Sequence, residues 1–176
     1  MTSPSDGAPS EQEISQAAAV LNRLQPGFLP QELFMAVTRL CAVPILELVP
    51  LRRNNGKTEV LLLQRPADDP IWPSQLHTPG TFILSTDIGE GLTKPLTRLY
   101  DKELGIKPSI QPVFVDTILH KQARGTEFAA VHYIDLTGVS VPAGSWHTAD
   151  VLPESIITTQ RGFIAEAVKL FEKRQT

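Results

Sequence analysis

Residues 78–106 read TPGTFILSTDIGEGLTKPLTRLYDKELGI. A turn, Pro79-Gly80-Thr81, is followed by Gly89-Glu90 and then by Arg98-Leu99-Tyr100-Asp101-Lys102-Glu103-Leu104-Gly105-Ile106. The spacing predicts a helix from Thr93 to about Leu104. Pro95 is tolerated there because it falls in the first turn, where its missing N–H costs nothing. Gly105 is a natural terminator, since glycine accepts the left-handed conformation that ends helices. On an α-helix, positions 99, 102 and 103 are spaced i, i+3 and i+4 and share a face. That face carries an isobutyl group, an ammonium and one carboxylate. Hard cations take oxygen ligands, so a lone carboxylate beside an ammonium predicts a poor site for a divalent cation.

Upstream, Val43–Leu51 and Thr58–Gln64 read as strands around Asn54-Asn55-Gly56, a hairpin signal because Asn and Gly accept positive φ. Residues 67–79 form a loop, and Gly80–Leu84 a short strand. Before these lie two helical patterns. Ser10 with Glu13 makes a capping box ahead of Ile14, Ala17, Ala18, Leu21 and Leu24. A second helix starts at Pro30, with Leu33, Phe34, Val37 and Leu40 on one side. Downstream, strands are predicted at Gln111–Leu119 and Glu127–Leu136, with a turn at Gly125. Residues 142–149 read as a loop. A final helix starts near Thr159, with Phe163, Ile164, Ala167, Val168 and Phe171 as its core stripe. The order predicts an α/β sandwich, a mixed β-sheet between helices. Residues 1–9 read as a disordered tail, 10–28 as a helical extension of a single domain spanning 10–176.

The chain has 176 residues, 41% of them hydrophobic, which is enough for one core. A net charge of −3 with no basic stripe argues against nucleic acid as a partner. Apolar runs are strand-sized, so no membrane span is expected. The first nine residues lack the basic start and apolar stretch of a secretory signal. Cys41 is the single cysteine. It excludes an internal disulfide, fits a cytoplasmic location, and reads as a small buried residue.

The motif resembles the Nudix box, whose pattern is Gly, five residues, Glu, seven residues, then Arg-Glu-apolar-any-Glu-Glu-any-Gly-apolar. Glu90, Arg98, Glu103, Gly105 and Ile106 stand at its spacing. Leu99 and Lys102 replace two of its glutamates, Thr81 replaces a glycine, and about three extra residues precede Glu90. Arg98-Leu99 and Glu103-Leu104-Gly105 are similar to the GDP-mannose mannosyl hydrolase branch. So are Gln31 to Arg39, and Gly125-Thr126-Glu127-Phe128 with His132-Tyr133.

The resemblance implies a Nudix-type α/β/α sandwich and hydrolysis of a nucleotide sugar or related nucleoside diphosphate derivative, with magnesium as cofactor. It implies Glu103 and the Gly80 carbonyl as metal ligands and Arg98 at the leaving diphosphate. Glu47, Arg65 and His120 would line the substrate pocket, and His147, in a late loop, would be the base. It also implies a homodimer. The residues leave a second reading open: a catalytically degenerate module that binds a nucleotide-like ligand or a protein partner. On plainer readings Glu90 and Arg98 pair to hold loop against helix, Lys102 is a solvated surface residue, His132 is structural, and Trp72 either stacks on a base or anchors its loop.

Overall fold

A hairpin sets the frame. β1 (Val43–Asn54) and β2 (Lys57–Gln64) are joined through Asn55 and Gly56, whose φ angles are 48° and 78°. These values suit a two-residue turn that matches the strands' twist. The computed structural model describes residues 7–89, 91–107 and 110–175. Five further strands follow: β3 (Leu76–His77), β4 (Gly80–Phe82), β5 (Val113–Gln122), β6 (Gly125–Asp135) and β7 (Ser145–Thr148). The helices are α1 (Glu11–Leu21), α2 (Gln31–Leu40), α3 (Thr93–Arg98) and α4 (Gln160–Gln175).

The sheet order is β3-β2-β1-β6-β5, with β4 beside β1 and β7 beside β2. β1 runs parallel to β6, and the other pairings are antiparallel. The sheet is therefore mixed. Alternation sends Val49, Leu51, Ala129, Val131 and Tyr133 to one face, where Phe163, Ile164, Ala167 and Phe171 of α4 cover them. Leu46, Leu48, Ile134 and Leu136 face the other way and pack on Leu99, Tyr100 and Leu104. Cover on both faces explains why β1 is buried without a break from Ile45 to Leu51.

One edge of β1 is shared. Residues Leu51–Asn54 pair with β2, whereas Ile45–Glu47 pair with β4. The two strands of the hairpin thus diverge, and β4 fills the gap. The divergence opens the space in which the polar residues described below collect.

Three expectations are corrected. First, the helix predicted for 93–104 changes winding at its midpoint. Leu99–Leu104 is a π-helix, and the Gly105 N–H donates to the Tyr100 carbonyl. The wider winding brings Leu99, Tyr100 and Leu104 to the sheet and leaves Lys102 exposed, so 99, 102 and 103 do not share one face. Second, residues 67–79 and 142–149 are not all loop, because β3 pairs with Leu63 and Gln64 of β2 and β7 docks on the edge of β2. A four-residue edge strand is too short to show a period. Third, Cys41 is exposed, since α2 ends just before it and turns it outward.

The capping box at Ser10 and Glu13 is present. None of the residues of α1 is buried. No helix among the described residues is long and apolar enough to cross a membrane.

Candidate functional site

Glu47 is the acidic residue in the buried run of β1, and it sits where β4 replaces β2. Glycine at position 80 makes this approach possible. A Cβ at Gly80 would lie 2.9 Å from Glu47 Oε2. Thr78 Oγ1 donates to the same oxygen at 3.2 Å, and Thr78 N–H donates to Gln160 Oε1 at 2.9 Å. Parallel pairing with β6 adds Glu127, also buried. Burial, reinforced by the nearby negative charge of Glu127, pushes Glu47 up to about 8.

Glu127 meets two basic side chains, Arg124 and His120. Arg124 Nε donates to Glu127 Oε1. His120 lies across the β5–β6 pairing, with Nε2 3.4 Å from Glu127 Oε2. Neither of those two atoms completes a hydrogen bond with the described residues. His120 therefore sits behind the carboxylates, against Glu127.

Arg124 also touches two aromatic rings. Its guanidinium carbon is 4.9 Å from the centre of Trp72 and 4.7 Å from that of Phe82. Arg65 lies over Trp72 at 5.7 Å. Cations over aromatic faces are held by the ring quadrupole. The loop carrying Trp72 is tied down by Asp69, which accepts N–H groups from Ile71 and Trp72 and pairs with Arg65 at 2.5 Å. Burial raises the Asp69 pKa, but these donors outweigh it and hold the carboxyl at about 2. Trp72 is thus both a loop anchor and a wall of the site.

Ile45, Glu47, Trp72, Phe82, Arg124 and Gln160 are among the residues lining a small cavity of about 40 Å³. Arg65 and His77 line it too, and they also line an adjoining open groove of about 800 Å³. Burial pushes His77 down to about 4, so its ring is neutral near pH 7. Lys102, Glu103, Gln64 and Ser145 border the groove. Glu103 Oε2 accepts the Gly80 N–H at 3.3 Å, and burial raises its carboxyl to about 7. Glu47 and Glu103 thus flank Gly80 from two sides.

The remaining expected residues lie elsewhere. Arg98 pairs with Asp87 at 2.5 Å and donates to the Phe82 carbonyl at 2.8 Å. Asp87 also accepts the Leu84 N–H, and Lys94 Nζ donates to the carbonyls of Thr86 and Ile88. These bonds brace the extra residues of the loop. Glu90, the partner expected for Arg98, lies outside the described residues. His147 is on β7 opposite Val60, where its Nε2 meets Ser145 Oγ at 2.7 Å. It lines neither the cavity nor the groove. His132 is buried against Phe114. Sequence reasoning missed Arg124, Glu127, His77 and Asp87. The Arg-Gly turn beside a glutamate was the only local sign of the first two.

The donor set decides whether a divalent cation fits. Such an ion needs converging oxygen ligands. Glu103 brings one carboxylate to the groove, Leu99 is in the core, and the Lys102 ammonium shares the groove. Gly80 meets Glu103 with its N–H, a donor. Among the described residues no three His, Cys, Asp or Glu side chains come together as a ligand set. The described residues at the groove do not make up a ligand set for a resident magnesium ion.

No family model matches the sequence, and no curated protein matches it. Solved structures do. The NUDIX domain of Shewanella oneidensis NrtR, complexed with ADP ribose, is 20% identical, with a TM-score of 0.55 over 90% of this chain and 98% of that one. The C. elegans Ap4A hydrolase in a binary complex is 17% identical, with a TM-score of 0.58 over 75% and 99% of the two chains. NrtR complexed with a 27mer DNA is 19% identical, with a TM-score of 0.59 over 74% and 62%. The mixed sheet, its flanking helices and these likenesses agree: the chain has the Nudix fold.

Proposed function

We propose that this chain is a Nudix-fold module that binds a nucleoside diphosphate derivative, such as a nucleotide sugar, rather than turning it over efficiently. The observation that carries the reading is the cavity of Trp72, Phe82, Arg65 and Arg124, which opens at Arg65 and His77 onto a polar groove. Aromatic and guanidinium faces suit a planar base. The groove suits the charged remainder of such a ligand. Two structures of this fold, NrtR with ADP ribose and the Ap4A hydrolase, are of proteins whose named ligand or substrate belongs to this chemical class.

The same geometry speaks against the hydrolytic roles expected of Arg98, His147 and His120. Arg98 is committed to Asp87 and Phe82 and so acts as a brace. His147 is bonded to Ser145 outside the cavity, and His120 is packed against Glu127. A base needs to be within reach of the attacking water. The hydrolase reading, with a GDP-mannose-like substrate, keeps one point in its favour: Glu103 faces the groove.

Calorimetry of the full chain with ADP-ribose and GDP-mannose tests the reading, alongside product analysis. Micromolar-range binding with negligible turnover is expected. Turnover at ordinary enzyme rates, above about 1 per second, would install the hydrolase reading instead. The low net charge does not exclude nucleic acid, because a DNA-bound protein is among the structures of this fold.

A further inference from the structure

Resting on the reading that the ligand carries a diphosphate, we infer that the groove binds its phosphates through Lys102 and Arg65, with no divalent cation. Both side chains line the groove, together with Glu103 and His77. Lys102 is exposed and forms no hydrogen bond or ion pair with the described residues, so its ammonium is available to a ligand. The π-helix keeps it out of the core. Leu99 and Leu104 turn to the sheet, and the residue between them that borders the groove beside Glu103 is a lysine. Arg65 is fixed from behind by Asp69, which leaves its guanidinium positioned before a ligand arrives.

The charge pattern decides between metal and ammonium. A diphosphate needs positive charge around its oxygens. A bound cation would need several carboxylates to hold it, and among the described acidic residues Glu103 alone lines the groove. Lysine serves as a point charge for phosphate in other sites. A planar guanidinium adds paired donors. Lys102 would also repel a divalent cation from Glu103. The same substitution thus removes the metal's site and supplies its charge.

The test uses inorganic pyrophosphate with the full chain, by calorimetry in excess EDTA and again in excess magnesium chloride. Binding in EDTA is expected. Lys102→Ala should weaken it by roughly tenfold, about 1.4 kcal/mol, and Lys102→Arg should restore most of the loss. Lys102→Glu should abolish binding in EDTA and make it depend on magnesium. Because Lys102 is exposed, unchanged thermal melting of each variant shows that the effect is local. Pyrophosphate binding that requires magnesium in the unmodified protein would overturn this inference. ADP-ribose that then binds with magnesium would leave the nucleotide-binding reading standing. Binding of neither ligand under either condition would overturn both. An equal loss for adenosine on Lys102→Ala would also overturn the inference, because adenosine has no phosphate.

Discussion

Arg98 looks from the sequence like a residue facing a leaving group, and its contacts make it a brace between loop and helix. Asp87 is almost wholly buried and pairs with it. Removing one member of such a pair leaves a buried charge uncompensated. Arg98→Ala should therefore cost about 3 kcal/mol of stability while changing ADP-ribose affinity little, as denaturant melts and calorimetry would show. The Arg98 guanidinium holds the Asp87 carboxyl below its ordinary value. A depressed carboxyl contributes stability above the unfolded pKa of about 3.9. That contribution is lost as pH falls through the folded value, so the gap between the unmodified protein and Asp87→Asn should close in acid. Glu47 has the opposite sign. Its folded value of about 8 lies above the ordinary 4.5, so stability falls as pH rises between those two values. Glu47→Gln keeps an acceptor for Thr78 and removes the penalty. Its melting temperature should exceed that of the unmodified protein at pH 8 by on the order of 5 °C, with little difference at pH 4.5. A parallel pair of melting curves across that range would sink the assignment.

At the scale of elements, the clamp between α2 and the β5–β6 turn makes a sharp demand on one glycine. Gly125 has φ 139°, and a Cβ there would lie 2.6 Å from Thr38 Cβ. Thr38 Oγ1 donates to the Arg124 carbonyl, and Thr38 is the one buried residue of α2. Gly125→Ala combines an unfavourable backbone with a collision, so a loss of about 2 kcal/mol or more is expected. Arg124 follows Gly125 in any shift, and ADP-ribose affinity should fall with stability. The π-helix is a second element with a checkable origin. Leu99 and Leu104 are five apart and both buried. Deleting exposed Asp101 would leave them four apart, the spacing of an α-helix face. The shortened chain should still fold, with its amide bonds shifted to i→i+4 and Lys102 turned relative to the groove. Loss of folding would show that the extra residue is required by the core.

Across the whole molecule, stability resides in the two layers that clasp the sheet, and α1 takes no part in either. Removing residues 1–22 should change the unfolding free energy by no more than about 0.5 kcal/mol. The fold was legible because its signals are local: Asn55-Gly56 for the hairpin, Gly105 for the end of the helix, the Phe163 to Phe171 stripe for α4. The joint spacing of Arg98, Glu103 and Gly105 then selected among sandwiches. Glu47, Arg65, Gly80 and Glu103 were named from the resemblance, and they lie together around the cavity and the groove. Arg124 and Glu127 were not. They reach Glu47 only because β1 and β6 run parallel, and no short-range pattern announces a pairing so distant in sequence. The π winding escaped notice because it depends on which apolar residues the sheet accepts. β3 and β7 are two and four residues long, too short for a period to show.

The outward turn of Cys41 has a practical consequence. It is the chain's single thiol, and it lies at the junction of α2 and β1, clear of the cavity and the groove. A maleimide spin label would therefore attach once per molecule. A monomer so labelled gives no intramolecular dipolar signal, whereas a symmetric pair gives a single distance. Pulsed electron resonance on one labelled sample, with no mutation, would thus report how many copies associate and whether a ligand changes that number.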